Sequence, residues 1–222
     1  MRVVTWNLMH GRSVGGRERS RRDLLPDFAD ALAGWEWDVA LLQEVPPWWP
    51  AALGAQLRAE YRIVLTSRNA LLWVRRAIAV RWPDAIKSNG GGATAILARR
   101  DRIFSDRAMR LCRLPERRWA HGVQLGCGAW IVNLHATAGR PAAAERDCAV
   151  ALASARTWAG SEPLVFGGDL NLRRPTFPGL RAVASRDVDH LFVAGLAARG
   201  DAEVLDAGPL SDHPPLVVTL SA

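Results

Sequence analysis

Lysine is almost missing from this 222-residue chain, and Lys87 is the only one. The formal charge of +7 is therefore carried by arginine. A basic surface favours polyanions such as nucleic acid or acidic lipid. So one-sided an arginine bias, beside heavy alanine and glycine use, fits genome composition equally well. Cysteine is scarce too. Cys112, Cys127 and Cys148 make an odd count without a C-x-x-C pair. That gives no basis for a disulfide framework or a thiolate zinc site, and reduced thiols in a cytoplasmic protein are the expectation. No apolar run approaches the length that spans a bilayer. The N-terminus enters Val3-Val4-Thr5-Trp6 without the apolar stretch and cleavage site of a signal peptide. No Gly/Ser tract or low-complexity segment divides the chain, so a single domain over 1–222 is expected. Hydrophobic residues, by contrast, reach 49%, which supports a large core and argues against disorder.

Short apolar runs alternate with polar turns. Val3–Trp6, Val39–Gln43, Tyr61–Leu65, Leu71–Arg75 and Ala93–Ala98 read as strands in the first half. Gly122–Leu125, Trp130–Leu134, Leu164–Phe166, Val188–Val193 and Leu216–Leu220 do so in the second. Arg21–Gly34 carries Leu24, Leu25, Phe28, Ala31 and Leu32 at helical spacing and stops at a glycine. Trp48–Ala59, with Pro50 in its first turn, and Pro141–Trp158 read as further helices. Asn89-Gly90-Gly91-Gly92 reads as a flexible connector. Each half has a strand, a helix and a strand ending in an acid. The pattern predicts two layers of sheet covered outside by helices.

The informative polar residues fall at the ends of these strands, where side chains converge on one rim with rigid support behind them. Glu44 closes a buried run, and an ionised carboxylate there needs a partner, for which a hard cation is suited. Gly167-Gly168-Asp169-Leu170-Asn171 offers glycines for a tight turn and close approach of a ligand. In extended backbone Asp169 and Asn171 share a face, placing a water-orienting carboxylate beside an amide donor. An Asx turn is the structural alternative. His213, in Ser211-Asp212-His213, needs an orienting partner to act near neutral pH. Asp187 and Asp189 are both candidates, on one side of a strand. His135 ends the run Asn133-Leu134-His135 and is a candidate donor to a phosphoryl group or leaving oxygen.

Taken in order, Trp6-Asn7, Gln43-Glu44, Asn133-Leu134-His135, Gly168-Asp169-Leu170-Asn171, Asp189 and Ser211-Asp212-His213 resemble the endonuclease/exonuclease/phosphatase superfamily. The likeness runs from Asn7 to His213. It implies a four-layer α/β sandwich, two mixed β-sheets face to face with helices outside. It also implies Mg²⁺ or Mn²⁺ and hydrolysis of phosphate esters by activated water. Glu44 then resembles the principal metal ligand, with Asn7 near metal and phosphate and Asp212 helping to hold metal. Asp169 resembles the residue that activates water, Asn171 its partner, and His213 the histidine paired with an acid, here Asp189. His135 matches the histidine that contacts the scissile phosphate. One departure is Met9, which stands where some repair nucleases of the group carry an acid. A thioether does not replace a carboxylate at a hard cation.

DNA or RNA is the leading substrate expectation. Arg17, Arg19, Arg21 and Arg22 form a basic cluster, Arg173-Arg174 flank the Asp169 turn, and Trp48-Trp49 and Trp73 offer stacking surface or ordinary packing. A phosphatase or phospholipid phosphodiesterase on the same scaffold is the alternative. A catalytically silent nucleic-acid-binding module is a third reading, against which the full acid–histidine–asparagine set stands.

Overall fold

Strand alternation sorts the side chains into layers. In β1 (Arg2–Asn7) Val4 and Trp6 join one buried cluster while Val3 joins another. In β2 (Val39–Val45) the same split separates Ala40 and Leu42 from Val39 and Leu41, as a period of two requires. The computed structural model describes residues 1–14, 22–67, 69–82, 92–114 and 116–221. Arg17, Arg19, Arg21, Lys87 and Asn89-Gly90-Gly91 lie outside the described residues. The remaining strands are β3 (Glu60–Leu65), β4 (Ala93–Ala98), β5 (Ile103–Cys112), β6 (Arg118–Leu125), β7 (Trp130–His135), β8 (Leu164–Asp169), β9 (Arg181–Arg186), β10 (Asp189–Ala194), β11 (Ala197–Ala198), β12 (Glu203–Val204) and β13 (Leu216–Ser221). The helices are α1 (Leu25–Gly34), α2 (Trp49–Leu57), α3 (Leu72–Arg81) and α4 (Pro141–Ala159).

One sheet runs β11-β13-β1-β2-β4-β3, with β12 also on β13, and the other runs β5-β6-β7-β8-β10-β9. Each is mixed, because β1–β2 and β7–β8 are parallel and their neighbours antiparallel. Phe28 and Leu32 of α1 and Trp49 and Leu53 of α2 pack on Trp6, Ala40 and Leu42. Val39, Leu41 and Ile96 meet Ile131, Val165 and Leu191 between the sheets. Ala144, Cys148, Ala151 and Ala155 of α4 cover Val132, Leu134 and Phe166. The result is the four-layer sandwich that the sequence predicts. No described helix is long and apolar enough to cross a membrane.

The structure departs from the sequence pattern at one helix and two strands. The sequence reads as a strand over residues 71–75, but the chain enters α3 there, after Leu71 at φ 52°. Ala79 is the buried residue of this helix, with Leu72, Val74, Arg75 and Ile78 half-buried, so a weakly covered surface helix rather than a buried strand accounts for the apolar run. Strands β5 and β9 were not foreseen. Both are sheet edges with largely exposed side chains, and such strands leave no apolar run to read.

Candidate active site

Parallel pairing brings the C-terminal ends of β1, β2, β7 and β8 to one rim of the sandwich. Register does the fine placement. His135 lies opposite Asp169, and Asp169 opposite Asp189, so three functional side chains form one row across β7, β8 and β10. The two glycines before Asp169 serve the sheet rather than a ligand. A Cβ on Gly167 would sit 2.1 Å from the His190 carbonyl oxygen, and one on Gly168 would sit 2.2 Å from that of Leu134. What approaches these glycines is neighbouring backbone, which corrects the expected tight turn at a ligand.

Glu44 reaches the rim through a bulge. The register of β2 on β4 slips between Leu42 and Val45, and Glu44 takes φ 51°. Such an extra residue re-aims a side chain. Asn133 from the opposite sheet holds the bulge. Its Nδ2 donates to the carbonyls of Leu42 and Ala95, both at 3.0 Å, and its Oδ1 accepts from Gln43 Nε2 at 2.8 Å. Gln43 also donates to Thr5 Oγ1 at 3.1 Å. A cross-sheet polar clamp thus stands directly behind Glu44, and Gln43 and Asn133 are its working members.

Asn7 ties the two carboxylate-bearing halves together. Its Nδ2 donates to Asp169 Oδ2 at 2.9 Å, and its Oδ1 accepts the Met9 N–H at 2.9 Å. Asp169 Oδ1 accepts the Asn171 N–H at 3.1 Å. Asn171 has φ 51° and donates its Nδ2 to the Ala136 carbonyl at 3.0 Å. The Asp169–Asn171 segment is therefore the Asx turn, and the extended-strand geometry expected for the pair is absent. His135 Nε2 lies 3.4 Å from Asp169 Oδ2 and 3.8 Å from Glu44 Oε1.

His213 pairs with Asp189, its Nδ1 2.7 Å from Asp189 Oδ2. This chooses between the two candidate acids, since exposed Asp187 sits in the β9–β10 turn at φ 47° and pairs with Arg173 at 3.1 Å. The shared strand face expected for Asp187 and Asp189 does not exist, because β10 begins at Asp189. Ser211 explains its place before Asp212-His213. Its hydroxyl donates to the Asn7 carbonyl at 2.6 Å and accepts the His213 N–H at 3.1 Å. Trp6 Nε1 holds the His213 carbonyl at 2.9 Å. Asp212 is the most exposed of the set, 4.0 Å from His213 Nε2.

The electrostatics separate the proton affinities. Burial, then the nearby Asp189 charge, pushes Asp169 up to about 6 against His213, Asn7 and Asn171. Burial, then Asp169, likewise raises Glu44. Burial lowers His213, but the hydrogen bond and charge of Asp189 outweigh it and carry the imidazole to about 9. His135 falls well below 6.5 through burial and the charges of Arg118, His10 and His213. It is neutral near pH 7.

Two groupings are suited to a cation. Glu44 shares the rim with buried Asp169, and its own partial burial and the Asp169 charge disfavour ionisation of the Glu44 carboxyl, a deficit that a hard divalent ion relieves. Asp169, Asp189 and His213 bring donor atoms within 4.8 Å of one another, and Asp189 Oδ1 is buried without a hydrogen-bond partner. The 2.7 Å His213–Asp189 contact needs a proton between its atoms, so this trio is better suited to acid–base work, and Glu44 is the stronger metal pole. The sequence reading missed His10, whose Nε2 lies 3.2 Å from Glu44 Oε2, and Arg118, buried beside Glu116 at 2.8 Å. A histidine and glycine just past the end of β1 was the available signal for His10.

The sequence matches the family described as Endonuclease/Exonuclease/phosphatase family over residues 4–213. No curated protein matches it in sequence. Solved structures match in fold. A functionally unknown conserved protein from Enterococcus faecalis is 14% identical with a TM-score of 0.72, covering 100% of this chain and 99% of that one. A mannosyl-6-phosphatase from Bacteroides thetaiotaomicron is 15% identical with a TM-score of 0.73, covering 100% of both. Truncated TDP2 from Caenorhabditis elegans is 17% identical with a TM-score of 0.70, covering 100% of this chain and 97% of that one.

Proposed function

Because the chain belongs to the endonuclease/exonuclease/phosphatase family, we propose that it is a divalent-metal-dependent phosphodiesterase that cleaves P–O bonds of nucleic acid with activated water. The row His135–Asp169–Asp189, with His213 bonded to its last member, carries this reading. Glu44 would hold the cation, with Asp169 beside it. When bound, a divalent cation polarises a phosphoryl oxygen and stabilises developing charge.

The protein groups divide the remaining work. Asp169, fixed by Asn7 and the Asn171 N–H, orients the attacking water and accepts its proton. His213 acts in its charged form, steadied by Asp189, and donates toward charge that builds on the phosphoryl group. Asp169 at about 6 and His213 at about 9 support this assignment, since just above neutral pH the carboxylate is ionised and able to take a proton while the imidazole is charged and able to donate one. Neutral His135 supplies a preorganised donor.

The nucleic-acid part of the reading draws on α3. Residues 61–82 contain no acid. Trp73 is 76% exposed, and with Pro47, Trp48, Leu72, Arg76 and Val80 it lines a groove of about 670 Å³. Pro47 lies three residues beyond Glu44. Exposed aromatics interleaved with arginine form stacking platforms for single strands, and their grip weakens with salt. Trp49, by contrast, is core, and Arg22 is paired to Asp27. The test is a screen with Mg²⁺ and Mn²⁺ against plasmid, single-stranded DNA, RNA, a generic phosphodiester and a phosphomonoester, with His213→Ala as the contamination control. Cleavage of nucleic acid that His213→Ala lacks is expected. Hydrolysis of the monoester alone would replace the phosphodiesterase reading with a phosphatase, and no metal-dependent P–O cleavage at all would sink both.

A further inference from the structure

The chain makes an unusual turn after β1. Met9, His10 and Gly11 have φ 47°, 54° and 75° in succession. Left-handed backbone costs a non-glycine residue about 1 kcal/mol or more, so the surroundings hold this turn in place. A Cβ on Gly11 would sit 2.5 Å from the ring of buried Trp49. The turn is packed against the core, with no room for a side chain at Gly11. Its consequence is the position of the His10 ring, which fits over Gly92 and points Nε2 at Glu44 Oε2 from 3.2 Å. The other Glu44 oxygen has His135 Nε2 at 3.8 Å. One carboxylate is therefore flanked by imidazole nitrogens on both oxygens.

Two donors bound side by side to an octahedral ion at about 2.1 Å lie about 3.0 Å apart. The His10–Glu44 separation is close to that edge. Beside it is a cavity of about 20 Å³ lined by His10, Glu44, Thr66, Thr94, Arg118 and His135. A space of that size takes one water or one ion and no larger ligand. Imidazole is a poor ligand for Mg²⁺, whereas later first-row divalent ions accept nitrogen readily.

We propose that His10 is a nitrogen ligand to the metal held by Glu44, so that this site favours nitrogen-accepting first-row divalent ions over Mg²⁺. The proposal rests on the metal-dependent reading above. It names a residue outside the motif set and gives Met9 a context: its neighbour, one position on, supplies a donor that the thioether lacks.

Calorimetric titration of untagged, metal-free protein with Co²⁺ and with Mg²⁺ tests it. Asparagine tolerates the left-handed turn, so His10→Asn is the variant of choice, with its thermal unfolding checked in the metal-free state. The expected result is a Co²⁺/Mg²⁺ affinity ratio that drops about tenfold or more in His10→Asn, with Mg²⁺ binding unchanged within about twofold. Proton spectra of the Co²⁺ form should also lose a paramagnetically shifted imidazole signal. Equal weakening of both ions would make His10 a prop for Glu44 and overturn the proposal, as would an unchanged ratio. Wild-type protein that binds neither ion would instead remove the metal-dependent reading itself. Glu44→Gln, expected to lose both ions, separates these cases.

Discussion

Replacing Asp189 by asparagine keeps the shape beside His213 and removes one negative charge. The structure gives the size of the effect. Burial alone would depress the His213 imidazole, yet it stands near 9 because Asp189 supplies negative charge and accepts a 2.7 Å hydrogen bond from its Nδ1, with Asp169 and Asp212 adding to it. The rise from 6.5 to about 9 is worth roughly 3 kcal/mol of preference for the charged form. Partial exposure of the ring makes that an upper figure for stability. In Asp189→Asn the histidine should titrate at least about 2 pH units lower. At pH 7.5 it would change from almost fully charged to largely neutral. If charged His213 donates during P–O cleavage, turnover should fall about 10²–10⁴-fold, the range of a positioned acid–base group.

Two measurements check this chain of reasoning. The first is a proton–carbon NMR titration of the metal-free protein, following the His213 ring. The second is urea unfolding between pH 6 and pH 10. The folded imidazole binds its proton up to about 9, whereas the unfolded one releases it near 6.5. The stabilisation is therefore complete below 6.5 and disappears as pH rises through 9. Wild-type protein should lose stability across that window, and Asp189→Asn should lose little there because it has little left to lose. A wild-type His213 that titrates near 6.5, or identical pH profiles for the two proteins, would refute the assignment of Asp189 as the residue that sets its charge.

Three further outcomes are expected. Glu44→Gln should lower metal-dependent turnover by about 10³-fold or more, since Lewis-acid stabilisation is worth several kcal/mol; initial rates over a Mg²⁺ and Mn²⁺ titration check it. Asn133→Ala removes the side-chain donor to the Leu42 and Ala95 carbonyls and one of the acceptors of Gln43, which keeps Thr5 Oγ1. It should cost about 3 kcal/mol or more in urea unfolding, with a fall in kcat as the Glu44 bulge relaxes. Trp73→Ala should weaken single-stranded DNA binding by about 1–3 kcal/mol in fluorescence anisotropy while leaving hydrolysis of a small generic phosphodiester unchanged.

How much of this was legible in the sequence depends on the range of the interactions. Asp169 and His135 could be placed because a strand carries its polar terminus to a rim whatever else packs around it. The four layers were legible for the same reason, since β1 and β2 sort their residues by strict alternation. Glu44 was legible as a position but not as a geometry. Its side chain is re-aimed by a bulge that Asn133 of the other sheet stabilises, and no window of β2 contains that partner. The choice of Asp189 over Asp187 likewise waited on where β10 begins. His10 was hidden for a different reason. Its direction follows from consecutive left-handed residues pressed against Trp49, and periodicity says nothing about such a turn. Residues placed by strand ends were thus readable, whereas those placed by bulges and left-handed turns needed the opposing surface.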